Sequence, residues 1–155
     1  MAIGLATAGM AVKYCVEATA GTRPTAGFTT IPGVKSIPEF GGDPNTLDTS
    51  TLANLKYKTY CMGLQDPGGS VGLTVNDTEE FRTAWTALMT AYAGLTGGKK
   101  IWFEFSYPAS SNIDSFYFTA DPVDISFGGA DVDEVLENTA YIVPNGEPTW
   151  AAAST

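Results

Sequence analysis

Short runs in which apolar and polar residues alternate recur along this chain, and turn-forming glycines and prolines separate them. Successive side chains of a β-strand point to opposite faces, so this alternation predicts strands that each have one apolar face. The runs predict seven or eight antiparallel strands, at 11–17, 34–40, 57–64, 70–75, 101–108, twice within 115–129, and at 134–144. In the hairpin predicted between 57–64 and 70–75, Asp66-Pro67-Gly68-Gly69 supplies the turn.

A single segment, at about residues 77–93, has helical periodicity instead. Asp77 is the predicted N-cap with Glu80 three residues later, and Gly94 is the predicted end. The apolar residues recur at helical spacing and predict one core-facing stripe, made of Phe81, Trp85, Leu88, Met89 and Tyr92. The pattern therefore predicts a mainly β fold, a β-sandwich or rolled antiparallel barrel, with one flanking α-helix in a single domain over residues 1–155.

The stretch at 41–55 (GGDPNTLDTSTLANL) is long, polar and rich in turn formers. A loop of this length is uncommon in a compact domain and usually indicates either disorder or a function.

Histidine is absent from the sequence, which excludes Ser-His-Asp and Cys-His nucleophile systems and the usual zinc enzymes. The two thiols, Cys15 and Cys61, each lie in an alternating run and are expected to be reduced, partly buried small hydrophobes. These absences remove most common hydrolase chemistry, and we predict no catalytic residue, no metal and no cofactor.

The charge is distributed unevenly. All eight Lys and Arg lie within residues 1–100, together with eight acids, whereas residues 101–155 hold nine acids and no base. The net charge of −9 therefore arises entirely in the last third, which would repel nucleic acid rather than bind it. Surface acids that merely maintain solubility would give the same composition.

Several segments, in this order, resemble the major tail tube protein of long-tailed, non-contractile (siphovirus-type) bacteriophages. They are IPGVKSIPEFGG, NTLDTSTLAN, YCMGLQDPGGSVGLTVN, the helix with Trp85, IWFEFSYP and the closing TADPVDISF…DVDEVLENTAYIVPNGEPTW. The resemblance covers nearly the whole chain. Each segment is short, and their order and spacing carry the resemblance.

This resemblance implies a structural virion protein. Six copies would form a ring whose inner strands join into one β-barrel, and rings would stack into a tube that carries DNA to the host. Implied partners are further copies of the chain and the tape-measure, tail-terminator and tail-tip proteins. DNA would pass without specific binding, and no membrane insertion is expected. The protein would be synthesised in the bacterial host cytoplasm and located in the virion.

The family's contact regions correspond here to the N-terminal arm (1–10), the C-terminal arm (144–155) and the loop at 41–55. Within that loop, the implied assembly residues are Asp43, Asn45, Leu47, Asp48, Thr49, Thr51 and Leu52. The family's channel is acidic, and by alternation the candidate lumen acids are Glu104, Asp124 and Glu137, each expected to point away from the apolar face of its strand.

Two other functions are compatible with the pattern. A monomeric β-sandwich decoration or adhesion module would share the fold and composition. Less favoured is a glycoside hydrolase that uses paired carboxylates, with exposed Trp102 and Tyr117 stacking on sugar.

Overall fold

The computed structural model describes residues 4, 6–40, 45–64 and 69–154. The strands are, in chain order, β1 (Ala11–Val16), β2 (Thr29–Thr30), β3 (Val34–Ser36), β4 (Thr46–Asp48), β5 (Tyr60–Met62), β6 (Val71–Asn76), β7 (Ile101–Ser106), β8 (Ser115–Pro122), β9 (Glu137–Pro144) and β10 (Thr149–Ala151). One α-helix, α1 (Glu79–Ala93), and a short 3-10 helix (Ala109–Ser111) complete the described elements. The mainly β fold with one helix is as predicted.

Eight of these strands form one curled antiparallel sheet, a half-barrel, in the order β2-β1-β7-β8-β9-β6-β3, with β10 pairing to β8. The long strand β8 pairs along one side with β7; on the other side, its first residues pair with β10 and its last residues with β9. The remaining strands, β4 and β5, form a separate two-stranded sheet.

The inner face of the half-barrel holds the hydrophobic core. Alternation along β6 turns Val71, Leu73 and Val75 inward, and all three are buried. Strand β9 places Ala140 and Ile142 beside them. Aromatic side chains of β7 and β8 fill the next part of the core. The inward-facing apolar side chains of neighbouring strands thus form one continuous layer.

The helix closes the open side of this layer. Phe81, Trp85 and Leu88 are buried, while Met89 and Tyr92 are half-buried and pack against the same core. The stripe that the sequence predicts is therefore the packed face. The N-cap is Thr78 rather than Asp77, because the Thr78 hydroxyl accepts from the Phe81 amide at 3.2 Å.

Asp77 has a different role, since its carboxylate pairs with the Arg82 guanidinium. That hydrogen bond, opposed by partial desolvation, lowers the pKa of Asp77. The helix accordingly starts at Glu79, two residues later than predicted.

Two strand predictions are wrong. The predicted hairpin between 57–64 and 70–75 does not form, because β5 pairs with β4, and β6 pairs with β9 and β3. Pairing with β9 completes the buried layer, whereas residues 57–64 mix polar and apolar side chains on both faces and specify register only weakly. The turn residues Asp66, Pro67 and Gly68 lie outside the described residues.

The second wrong strand is the one predicted through Val123, Ile125 and Phe127. Residues 123–136 contain no regular strand, and β8 ends at Pro122. The Val123 amide still donates to the Tyr141 carbonyl at 3.1 Å, but the chain then leaves the sheet, and two glycines at 128–129 follow within a few residues.

Candidate assembly interface

The predicted loop at 41–55 is, in its described part, one arm of a β-hairpin that runs over residues 45–64, hereafter the hairpin. Leu47 lies opposite Cys61 in its ladder, and at its base the Gly63 amide donates to the Asn45 carbonyl at 2.7 Å. The two ends of the hairpin are therefore adjacent. Predicted assembly residue Asp43 lies outside the described residues.

Polar side chains of the hairpin mostly hold its own backbone. The Ser50 amide donates to Asp48 at 2.8 Å, and the Thr51 amide donates to Asn54 at 2.6 Å. The Asp48 pKa is lowered by these hydrogen bonds from Ser50. The Thr49 amide donates to the Thr59 carbonyl at 2.8 Å, and the two threonine hydroxyls are hydrogen-bonded at 3.0 Å. The hairpin therefore has a defined conformation despite its exposure.

Its apolar side chains are exposed to solvent. Leu52 and Leu55 are 102% and 96% exposed relative to a fully accessible leucine. The other large exposed hydrophobics on the hairpin are Leu47, Tyr57, Tyr60, Met62 and Leu64. Cys61, predicted to be partly buried, is also exposed, whereas Cys15 is half-buried. Large exposed apolar patches are typical of interaction sites in soluble proteins, so the hairpin is a candidate interface.

Glu104, the first candidate lumen acid, is completely buried. It does point to the outer face of β7, as alternation predicts, but other segments of the chain cover that face. The tail supplies Ser154, whose hydroxyl donates to Glu104 Oε1 at 2.6 Å and whose amide donates to Oε2 at 3.2 Å. As a lumen acid, Glu104 is a wrong prediction.

Tyr117 completes the group around this carboxylate. Its hydroxyl lies 3.0 Å from Glu104 Oε2 and 2.7 Å from the Ala152 carbonyl, and its ring contacts Phe28 and the Arg23 guanidinium. It is fully buried, so the prediction of an exposed, sugar-stacking Tyr117 is also wrong. Burial, followed by the neighbouring Glu104 carboxylate, raises the pKa of Tyr117 to about 12.

Burial by itself would raise the pKa of Glu104. The hydrogen bonds from Ser154 and Tyr117 outweigh burial, and the pKa lies below its ordinary value. The hydroxyl of Ser115 is buried nearby without a hydrogen bond of standard geometry, and its dipole acts in the same direction. Glu104 is thus a charged anchor for the C-terminal tail.

A second buried acid, Glu17, anchors the start of β7. Its carboxylate accepts from the Lys100 amide at 2.8 Å and from the Trp102 indole at 3.0 Å. Trp102 is therefore half-buried against its own chain. Because Glu17 and Glu104 are both buried, neither belongs to the acidic surface.

The other two candidate lumen acids differ from each other. Asp124 is exposed, but it lies just beyond β8 rather than in a strand. Glu137, at the start of β9, forms an ion pair with Lys35, which lies in the edge strand β3. Of the three candidates, Asp124 alone remains a fully exposed acid.

Residues 123–136 form an exposed surface, hereafter the acidic loop, and its first part is the segment in which alternation predicts a strand. Asp124, Asp131, Asp133 and Glu134 are exposed on it, as are Val123, Phe127, Val132, Val135 and Leu136. Part of the loop lines an open groove of about 560 Å³. The sequence contains one signal for this surface: residues 123–136 hold four acids and no base.

Elsewhere, an open cavity of about 550 Å³ lies between β1, β3 and the ends of β7 and β10. In the ranges that the structure describes, no three Cys, Asp or Glu side chains gather as a metal site. Over the same ranges, the one α-helix is too short and too polar to cross a membrane.

No known family profile matches the chain, and no curated protein matches it in sequence. Solved structures do resemble it. One is a chain in the 6-fold symmetrised cryo-EM structure of the anti-feeding prophage (AFP) baseplate, with a TM-score of 0.67. The two chains are 12% identical, and the match covers 100% of each. This likeness shows a shared fold.

Proposed function

We propose that this chain is a structural subunit of a phage-type tail tube. Six copies form a ring, rings stack into a tube, and DNA passes through the tube without specific binding. The subunit performs no catalysis and needs no metal or cofactor. Its further partners are the tape-measure, terminator and tip proteins of the same particle, and its location is the virion.

The observation that carries this proposal is the hairpin. It is well ordered by its own hydrogen bonds, yet it directs leucines, tyrosines and a methionine into solvent. A monomeric domain gains nothing from ordering such a surface, whereas a subunit that inserts it into another copy buries it on assembly. In this proposal Leu47 and Leu52 contact another copy. The polar residues fix the shape of the hairpin, and they are Asn45, Asp48, Thr49 and Thr51.

The fold likeness supports the same proposal. The matching chain belongs to a 6-fold symmetrised baseplate, and the match spans both chains from end to end. A curled sheet with accessible edges also suits closure with neighbouring copies, because joining sheets between subunits removes exposed edges.

The charge supports a channel that does not bind DNA. Of the fifteen acidic residues that the structure describes, Glu17 and Glu104 are buried, which leaves thirteen at or near the surface against eight basic residues. A net negative wall repels phosphates and lets DNA slide. We retain Asp124 as the principal lumen candidate and Glu137 as a weaker one, since Lys35 neutralises it.

Excision of the hairpin tests the proposal. Because Asn45 and Gly63 are hydrogen-bonded neighbours, residues 46–62 can be replaced by two glycines without stretching the chain. We expect a folded monomer by circular dichroism and light scattering, where the wild-type chain forms rings or tubes.

A pair of matched variants separates apolar contact from mere excision. Leu52→Ser with Leu55→Ser should impair assembly, whereas Ile113→Ser, at another exposed apolar position, should not. Normal tubes from the excised chain would refute the role of the hairpin.

A further inference from the structure

The structure contains two exposed apolar surfaces of opposite charge. The hairpin carries Lys56 and Lys58 against Asp48, so its net charge is positive, within a chain whose net charge is −9. The acidic loop carries four acids and no base. Each surface also exposes several large apolar side chains. The two surfaces have opposite net charge, and contact between them would bury apolar side chains on both.

From this complementarity we infer that the hairpin of one copy docks on the acidic loop of the next copy. The inference rests on the proposed self-assembly and adds the surface that receives the hairpin. Lys56 and Lys58 face Asp131 and Glu134, while Leu52 and Leu55 cover Val135, Leu136 and the groove beside them.

The acidic loop is held in place to receive a partner. The Trp85 indole donates to the Val123 carbonyl at 3.0 Å, and the side-chain NH₂ of Asn138 donates to the Ser126 carbonyl at 2.7 Å. At its far end, the Asp77 amide donates to the Leu136 carbonyl at 2.9 Å. Gly128 packs so closely on Asn138 that an added Cβ would lie 2.7 Å from its side-chain oxygen. A loop fixed at these points loses little conformational freedom on binding.

The positions of the two surfaces make the contact head-to-tail. The chain enters β6 at Val71, coming from the hairpin, and leaves it at Asn76, next to the Leu136 end of the acidic loop. A six-residue strand spans about 20 Å, so the hairpin precedes one end of β6 and the Leu136 end of the acidic loop lies at the other. A contact between two different surfaces of identical chains repeats, and it produces either a closed ring or an open stack.

Charge reversal tests the inference. A hairpin variant, Lys56→Glu with Lys58→Glu, opposes acid to acid, and a loop variant, Asp131→Lys with Glu134→Lys, opposes base to base. We expect each variant alone to need a concentration about 100-fold or more above wild type for assembly. All four side chains are solvent-accessible, so circular dichroism and the thermal midpoint should remain close to wild type.

Mixing the two variants is the decisive experiment. The acidified hairpin of the first fits the basic loop of the second, and the basic hairpin of the second fits the acidic loop of the first. An equimolar mixture should therefore assemble near the wild-type concentration, as should one chain carrying all four changes. Controls of equal charge change outside both surfaces are Lys99→Glu with Thr83→Glu and Ala87→Glu, and Glu39→Lys with Asp114→Lys, which should assemble normally.

The outcomes distinguish this inference from the proposed function. If wild type assembles and the hairpin excision does not, but the charge variants assemble normally or the mixture fails to rescue, the hairpin docks elsewhere and the inference is overturned. If the wild-type chain shows no association at any concentration, the proposed function and the inference are both overturned.

Discussion

Replacing Glu104 by Gln keeps the side-chain shape and removes its charge. The carboxylate accepts two hydrogen bonds from Ser154 and shares the single Tyr117 hydroxyl proton with the Ala152 carbonyl, in a site with no solvent exposure. An amide retains one accepting oxygen and turns an NH₂ group toward donors. Hydrogen bonds to charged groups contribute about 1.5–3 kcal/mol, and neutral ones about 0.5–1.5 kcal/mol. We therefore expect a loss of about 2 kcal/mol of unfolding free energy.

For a chain of this size, that loss lowers the thermal midpoint by about 4–8 °C. Scanning calorimetry or fluorescence at neutral pH measures it. Glu147→Gln is the matched control, because it makes the same chemical change at an exposed position and should cost less than about 0.5 kcal/mol. Hydrogen exchange at 149–154 should accelerate in the Glu104 variant, since the tail loses its anchor.

The pH dependence has a defined sign. The folded-state pKa of Glu104 lies below its ordinary value of 4.5, so the ionised side chain stabilises the fold fully above that value. This contribution is lost as the pH falls from 4.5 through the folded-state pKa. The stability gap between wild type and Glu104→Gln should therefore shrink in acid. Equal stability at neutral pH, or a gap that persists unchanged in strong acid, would refute the reasoning.

Three further changes test other parts of the structure. Thr78→Ala removes the N-cap of α1 and should cost about 1 kcal/mol in urea unfolding; an unchanged midpoint would contradict that role. Trp85→Phe removes the indole hydrogen bond to Val123, should cost about 1 kcal/mol and should speed hydrogen exchange in the acidic loop; unchanged exchange there would mean that other contacts fix the loop. Raising the salt from about 0.1 M to about 1 M shortens the screening length from about 10 Å to about 3 Å and should weaken assembly; insensitivity to salt would count against docking by charge.

The predictable parts of the fold are those in which side-chain period and burial agree. Val71, Leu73 and Val75 alternate and are all buried, and Phe81, Trp85 and Leu88 recur at helical spacing and are all buried. In each case a single apolar face fixes the element, because no other arrangement covers it.

Strand partners and the fate of the outer face were not predictable in this way. Alternation shows that Glu104 leaves the apolar face, but it does not show that residues from both ends of the chain, around Arg23 and Ser154, return to cover it. The pairing of β5 with β4 was also not predicted. The Asp-Pro-Gly-Gly turn at 66–69 favoured pairing with β6, and neither β4 nor β5 has a buried apolar face that would indicate its partner. The proposed interfaces are only partly predictable: length and polarity single out the loop at 41–55, but the exposure of Leu52, Leu55 and the apolar side chains of the acidic loop is seen only in the structure.

This chain is proposed to build six-fold rings that stack into a tube. Negative-stain electron microscopy of the purified wild-type chain at high concentration, together with light-scattering mass, tests it most directly. Hollow tubes or rings with six-fold end views, and a mass that grows in multiples of six subunits, are the predicted result. A uniform monomer at every concentration, with no rings or tubes in the images, would contradict it.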